Sequence, residues 1–262
     1  MADVTRLAWA YRKAGSRFDV GAFLAAFTEA VGPQGNVLVP AFNFDLRSGD
    51  AFDVRSTRSI SGALANAAID HPAFVRTSHP LHSFAVAGAD AQRLTTTNNI
   101  GSFDEDSPFA FLLEKRATLI AVDLPLNDAL TFVHFVEQRR KVSYRRPREL
   151  RIMHTDAEGR TQKRMYTLFA KKAGHVNSFD GLEAVLTREG ACAATQVGGS
   201  SVLRIDLARA YDVIDKDIRT NGSRSIHRFD AKVWLADVVK SLLRTFGIRT
   251  SKDRMAHAAR TS

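Results

Sequence analysis

The stretch Ala117-Thr118-Leu119-Ile120-Ala121-Val122, the segment Asp123-Leu124-Pro125-Leu126-Asn127-Asp128 after it, and then Leu130-Thr131-Phe132-Val133-His134-Phe135-Val136-Glu137 decide how this chain is read. A short apolar run bounded by breakers predicts a buried strand. Pro125 and Asn127 predict a loop, and the residues after it predict a helix. A spacing of three puts His134 and Glu137 on neighbouring positions of one helical face. A carboxylate beside an imidazole raises its pKa and fixes its tautomer, which is what a general base needs near neutral pH. The setting adds weight, because open α/β sheets bind ligands beyond the carboxyl ends of their strands. The same spacing is common in solvated surface ion pairs, so by itself it leaves both readings open. No metal site is predicted, since one His and one Glu are too few ligands and no second His-rich helix completes them.

Outward from this stretch the chain alternates helices and strands. Val20–Val31 predicts an amphipathic helix stopped by Gly32-Pro33, and Asn36–Pro40 a strand after the Gln34-Gly35 turn. Helix, glycine turn and apolar strand form the rhythm of a parallel sheet. Phe42–Thr57 is polar and predicts a surface loop. Ser61 is an N-cap candidate for a helix over Gly62–Ile69, and Phe84–Gly88 predicts a strand. Ala89–Leu94 and Phe109–Glu114 predict helices, the second started by Ser107-Pro108. Glu149–His154 and Lys163–Phe169, flanking Asp156-Ala157-Glu158-Gly159, predict an antiparallel hairpin. Phe179–Glu189, Leu207–Ile218 and Lys232–Phe246 predict helices, and Ser201–Ile205 a strand. The expected fold is α/β: a mostly parallel central sheet flanked by helices, with a hairpin inserted at about residues 149–170. One domain over residues 1–248 is expected, then a basic, flexible tail over 249–262.

Of the 262 residues, 45% are hydrophobic and 25% charged, which is ordinary globular composition and enough to bury a sizeable core. No apolar run approaches a membrane span, and no charged leader precedes an apolar segment at the start, so a cytoplasmic protein is expected. Cys192 is the single cysteine; it lies among small residues and reads as buried filler, not an activated thiol. The net charge is +9, and from Asn221 onward nine Lys or Arg face three Asp. Such a tail can meet phosphates, an anionic membrane face or nucleic acid. The charges do not alternate with aromatic residues in the pattern a single-strand platform requires, so nucleic acid is not the expected partner.

A second cluster, Arg76-Thr77-Ser78-His79-Pro80-Leu81-His82-Ser83, sets one cation, two histidines and several hydroxyls just before a strand. It can offer donors to sugar hydroxyls or an oxyanion, although such residues also satisfy turns. The chain has no Gly-x-Ser-x-Gly elbow, P-loop or dinucleotide fingerprint, which argues against α/β-hydrolases, kinases and nicotinamide enzymes. A serine hydrolase built from Ser78 or Ser83 with His134 is set aside, because neither serine sits in a nucleophile context.

Four ordered segments resemble the aminoglycoside 3-N-acetyltransferase family: Glu29–Pro40, Arg76–Gly88, Ser107-Pro108 with Leu112-Leu113, and Thr131–Glu137. The resemblance is good from about Val20 to Tyr144 and looser to Ile218. It implies an α/β acyl-CoA-dependent N-acyltransferase with acetyl-CoA as co-substrate, no metal, and direct transfer to an amine in a ternary complex. His134 would be the general base and Glu137 its orienter, without a protein nucleophile. His79, Ser83, Asn127 and Thr131 would shape the acceptor or thioester site. Ser107 would touch the pantetheine or cap a helix, with capping the stronger reading. The expected partners are acyl-CoA and a small-molecule amine, the protein acting as a monomer or homodimer.

Two departures from the family pattern shape the expectation. Family members begin with a helix and a strand ending in a His/Ser-Ser-Leu-like segment beside the CoA site. Here Met1–Leu7 stands where that strand should end, so the N-terminal strand is expected to be missing and a sheet edge exposed. Aminoglycosides are polycations, and the +9 charge disfavours them by long-range repulsion. An amino sugar linked to a nucleotide or used in surface-polysaccharide assembly is therefore the expected acceptor. Aminoglycoside resistance is the alternative, and a non-catalytic homologue binding CoA or an anionic glycan is a third reading.

Overall fold

The structure, a computed structural model, describes residues 2–245, so the expected basic tail at 249–262 lies outside the described residues. Helices α1 (Thr5–Lys13) and α2 (Val20–Val31) lead into strands β1 (Asn36–Phe42) and β2 (Ala51–Asp53). Next come α3 (Ala63–Asp70), β3 (Val75–Arg76), β4 (His82–Gly88), α4 (Ala91–Thr95), α5 (Pro108–Glu114) and β5 (Thr118–Val122). Then α6 (Leu126–Ala129) and α7 (Val133–Arg139) precede a long hairpin of β6 (Arg145–Thr155) and β7 (Thr161–Lys171). The described chain closes with β8 (His175–Asn177), α8 (Leu182–Arg188), β9 (Cys192–Val197), β10 (Ser200–Asp206), α9 (Leu207–Asn221), β11 (His227–Phe229) and α10 (Ala231–Thr245).

The α/β class holds, but the mostly parallel central sheet does not. The strands form small sheets in the orders β1-β4-β3, β5-β10-β9, β8-β11 and β2-β6-β7, and among the named pairs only β2 with β6 is parallel. An apolar run shows that a strand is buried but not which way its neighbour points. Here the chain beyond Phe42 loops back through α3, setting Asn36 opposite Gly88 and Phe42 opposite His82. The inserted hairpin is present and longer than expected, with Arg145 opposite Lys171 and Thr155 opposite Thr161. Ser61 does not cap α3. Gly62 takes the N-cap at φ 100°, and the Ser61 hydroxyl accepts the Phe42 N–H at 3.0 Å.

A large apolar cluster gathers Phe42, Phe84, Phe103, Phe109, Leu130, Phe132 and Phe135 with residues of β5, β10, α8 and α9. It fixes α7, whose Val133, Phe135 and Val136 are wholly buried. A second cluster joins α2 and α3 to the outer face of β1 and β4 through Leu24, Leu64, Val39 and Ala85. Between the edges of β1 and β5 lies a cavity of about 410 Å³, lined by Val37, Val39, Leu119 and Ile120 with Phe23 and Ala2. Where the N-terminal strand was expected to be missing, Ala2 makes a single parallel bridge to Val122, and the Asp3 N–H reaches the Val122 carbonyl at 2.9 Å. No described helix is long and apolar enough to cross a membrane.

Arg76 ties the β1-β4-β3 sheet to the loop after β2. Its guanidinium donates to Ser83 Oγ at 3.0 Å, to the Ala41 carbonyl at 3.0 Å, to Asn43 Oδ1 at 2.9 Å and to the Thr57 carbonyl. Burial pulls its pKa down to about 10, so it still carries its charge at neutral pH. Arg76→Ala strands several buried acceptors at once. It should lower unfolding stability by about 3 kcal/mol with an unchanged urea m-value. A loss under about 1 kcal/mol in urea titration would show that water replaces the guanidinium at no real cost.

Candidate active site

Helix α7 presents the pair that the spacing predicted. The His134 N–H bonds the Thr131 carbonyl at 3.0 Å in the first turn, and the buried Val133, Phe135 and Val136 hold the helix on the core. His134 Nδ1 lies 2.6 Å from Glu137 Oε2. The Glu137 side chain is 1% exposed and that of His134 15%, so the carboxylate is inside and one edge of the imidazole can be reached. With Nδ1 held as an N–H donor by the carboxylate, Nε2 is the nitrogen free to act as a base.

The chain then returns to the same carboxylate. Lys141 adopts a left-handed φ of 51°, and the Val142 N–H bonds the Glu137 carbonyl at 3.2 Å. This turn brings back Tyr144, whose hydroxyl donates to Glu137 Oε1 at 2.8 Å, and Arg145, whose Nε lies 2.6 Å from Oε2. The Arg145 Nε–H is not aligned onto an acceptor, so that contact is an ion pair and not a directed hydrogen bond. Arg145 is braced by Nη2 on Asn177 Oδ1 at 2.9 Å and Nη1 on the Phe169 carbonyl at 3.3 Å. Its Nη2 also stands 3.4 Å from His134 Nε2.

These contacts set the protonation states. Burial holds the His134 pKa below the usual imidazole value; the Glu137 charge pulls it up, and Arg145 and Lys171 push it down again. Burial is also the largest influence on Glu137 and pushes its pKa up. His134, Arg145 and Tyr144 together outweigh it and keep the carboxyl below its ordinary range. Burial and the Glu137 charge raise the Tyr144 pKa, so the phenol stays a donor. At neutral pH the site therefore holds a neutral imidazole against an ionised carboxylate.

The other sequence candidates fall into three groups. Ser83 is fully buried, donating to the Ala41 carbonyl at 2.7 Å and accepting from Arg76. His79 is buried beside Tyr166, its Nδ1 taking the Leu81 and His82 N–H groups at 3.3 Å each. Ser107 caps α5, accepting the Ala110 N–H at 3.4 Å. Thr131 opens the turn that starts α7, while Asn127 stands exposed on α6 and makes no described side-chain bond with the pair. His82 is linked to the pair through a shared ring: its Nδ1 sits 2.8 Å from Ser102 Oγ, and the Phe103 ring lies 5.0 Å from it and 5.8 Å from His134. Tyr144 and Arg145 escaped the sequence reading because they meet Glu137 only through the Lys141 turn, and Asn177 because it reaches Arg145 only across the hairpin. The one local signal was a Tyr-Arg pair shortly after His-x-x-Glu.

Residues 10–218 match the family described as aminoglycoside 3-N-acetyltransferase. The chain belongs to this family. Solved structures of similar fold include AAC-IIIb in a binary complex with CoASH, at 22% identity, TM-score 0.67, over 77% of this chain and 84% of that one. Sisomicin-bound AAC-VIa matches at 20% identity and TM-score 0.63, over 77% and 85%. The YokD protein of Bacillus subtilis matches at 18% identity and TM-score 0.61, over 78% and 82%. A search of curated protein sequences found no match. At such identities the structures establish a shared fold, and the family is one of acetyltransferases.

Two outcomes test this geometry. Only the charged imidazole is repelled by Arg145, so Arg145→Gln should raise the His134 pKa, and Glu137→Gln should lower it. Histidine NMR titration reads both, and a downward move in Arg145→Gln would contradict the arrangement. The second concerns stability. Burial is the largest influence lowering the pKa of His79, to about 3, and that of His82, His134, His154, His175 and His227. The unfolded chain takes up these protons as pH falls through the ordinary imidazole value, and the folded chain does not. Stability is thus complete above that value and declines as pH falls below it. The urea midpoint should drop between pH 7 and 5, and less steeply in His79→Gln.

Proposed function

We propose that the chain is an acyl-CoA-dependent N-acyltransferase that moves an acetyl or similar group onto an amine of an amino sugar, with His134 as general base. The observation that carries this reading is the His134–Glu137 contact, in which the carboxylate is buried and the imidazole side chain keeps 15% exposure. Acetyl-CoA supplies an acyl group already activated as a thioester. The net charge of +9 draws such a polyanionic co-substrate toward the protein.

The rest of the chemistry belongs to the chain. His134 Nε2 takes the proton the attacking amine gives up and can return it to the departing sulfur, so the imidazole ends as it began. Glu137 keeps the other ring proton on Nδ1 and stabilises the imidazolium while it exists. This is base-and-orienter logic without a covalent enzyme intermediate. Asn127 and Thr131 belong to this proposal as residues beside the substrates, while His79, Ser83 and Ser107, whose side chains bond within the fold, would act by holding the loop before β4 and the start of α5.

The acceptor is read from the site's own charge. Arg145 and Lys171 both repel positive charge at the imidazole, and a polycationic amine brought to His134 is subject to the same repulsion. A neutral or anionic amino sugar fits better. Family membership supports the second reading, an aminoglycoside acceptor, because an acceptor pocket and not the overall charge sets specificity. The open cavity between β1 and β5 favours the third, a homologue that binds without turnover.

Calorimetric titration with acetyl-CoA, followed by release of free thiol in the presence of amino-sugar and aminoglycoside amines, separates these readings. Saturable micromolar binding with turnover on an uncharged or anionic amino sugar is expected. His134→Ala should then lose at least about 10²-fold in kcat while keeping CoA affinity. Folded protein that binds no acetyl-CoA would end the acyltransferase reading.

A further inference from the structure

Behind the catalytic pair stands a group of aromatic rings that the mechanism above does not use. The imidazole of His227, on β11, lies flat on the Tyr144 phenol, with centroids 3.8 Å apart and planes within 1°. At its edge His227 meets His175, with centroids 4.8 Å apart and His175 Nδ1 2.6 Å from His227 Nε2, and His175 itself lies 5.9 Å from the Tyr144 ring. One proton shared between those nitrogens locks the rotation of both rings. The remaining nitrogen of His227, Nδ1, is buried with no partner among the described residues, so the ring is not held there for a hydrogen bond on that side. What the ring does instead is cover the face of the phenol that donates to Glu137.

The segment that delivers His227 has a definite origin. Helix α9 ends at Gly222 in a left-handed conformation, Ser223 follows at φ 66°, and the His227 N–H bonds the Ser223 carbonyl at 3.0 Å. Pairing of β11 with β8 sets His227 opposite Asn177, the residue that braces Arg145. One two-stranded ribbon therefore supports two of the partners of Glu137: Asn177 braces Arg145, and His227 lies on Tyr144. This ribbon's second strand lies beyond residue 218, outside the part of the chain that matches the family.

We propose that His227 is a positioning residue. By stacking on Tyr144 it keeps the phenol on Glu137 Oε1, which leaves Oε2 on His134 Nδ1 and the base correctly oriented. The proposal rests on the reading of His134 as general base. The physical need is specific. A tyrosine side chain without a neighbour on its open face can rotate, and the freed carboxylate oxygen then competes for the His134 proton. A misplacement of about 1 Å in such a pair can cost on the order of 10²-fold in rate.

The test uses the full chain in three variants. His227→Ala removes the stack, His227→Phe keeps a flat ring without its nitrogens, and Tyr144→Phe keeps the stack without the hydroxyl. The readouts are the low-field proton of the His134 Nδ1–H bonded to Glu137, and kcat with KM on the best acceptor. The expected result is that His227→Ala and Tyr144→Phe lose the low-field signal and at least about tenfold in kcat with KM little changed. His227→Phe keeps the signal and stays within a few-fold of the parent. A packing role alone would lower the melting temperature while leaving signal and kcat intact below it, and that result overturns the proposal. So does a parent protein without the low-field signal. If His227→Ala fails to fold, Tyr144→Phe decides: retained signal and rate overturn the proposal. If no acceptor is turned over, the catalytic reading fails, and the low-field signal alone still decides whether His227 holds the pair.

Discussion

A carboxylate sealed from water at Glu137 is the constraint around which this part of the molecule is organised. Moving an ion out of water costs several kcal/mol, and the charge survives only with good partners. Glu137 has three, and they come from different places. His134 comes from the same helix, Tyr144 from the chain after a left-handed turn, and Arg145 from the first residue of the hairpin. Arg145 in turn leans on β7 and β8. The hairpin and the β8–β11 ribbon are thus more than decoration on the fold. Without them the buried carboxyl would be driven toward its neutral form, and a neutral carboxyl orients an imidazole poorly.

What could be read in the sequence was what is local. The His134–Glu137 pair depends on a helical spacing of three, and the β6–β7 hairpin on two alternating runs about a turn, so both were legible. Ser107 capping α5 was legible for the same reason. Sheet direction was not, because Asn36–Phe42 looks alike whether its neighbour runs with it or against it. Tyr144 and Arg145 were hidden by the turn at Lys141, a non-glycine residue at positive φ that no composition signal marks. The role of Ser83 was blurred because a hydroxyl beside a histidine suggests a site, whereas here it satisfies a buried guanidinium and a strand carbonyl.

The antiparallel sheets also change what connects the two clusters of polar residues. His82 stands on β4 and His134 follows β5, and those strands belong to different sheets, with a cavity between the edge strands β1 and β5. Main-chain hydrogen bonding therefore does not set the distance between them. Ring packing does: Phe42 against His82 at 4.9 Å, Phe103 against Phe109 at 4.9 Å, and Phe103 against both histidines. Such contacts are individually modest, about 0.5–1.5 kcal/mol beyond burial, but edge-on geometry makes them directional. The core cluster is the element that aligns the site, and it does so with side chains.

Arg145 resolves an apparent conflict in that site. A cation this close to a base seems to work against it, since it stands 3.4 Å from His134 Nε2 and 2.6 Å from Glu137 Oε2. The two interactions do not enter the same balance. The attraction between Arg145 and Glu137 is present whether or not His134 carries a proton, so it leaves the affinity of the imidazole for protons nearly untouched. The repulsion between Arg145 and His134 exists only when the imidazole is charged. Arg145 therefore keeps Glu137 ionised and, separately, keeps His134 neutral and ready to accept. The carboxylate alone would raise the imidazole pKa and leave much of the base already protonated. The guanidinium removes that penalty, and its charge then faces whatever amine comes to Nε2. On the proposed reading of His134 as the base, the group that sets the protonation state of the imidazole would also bear on the choice of acceptor.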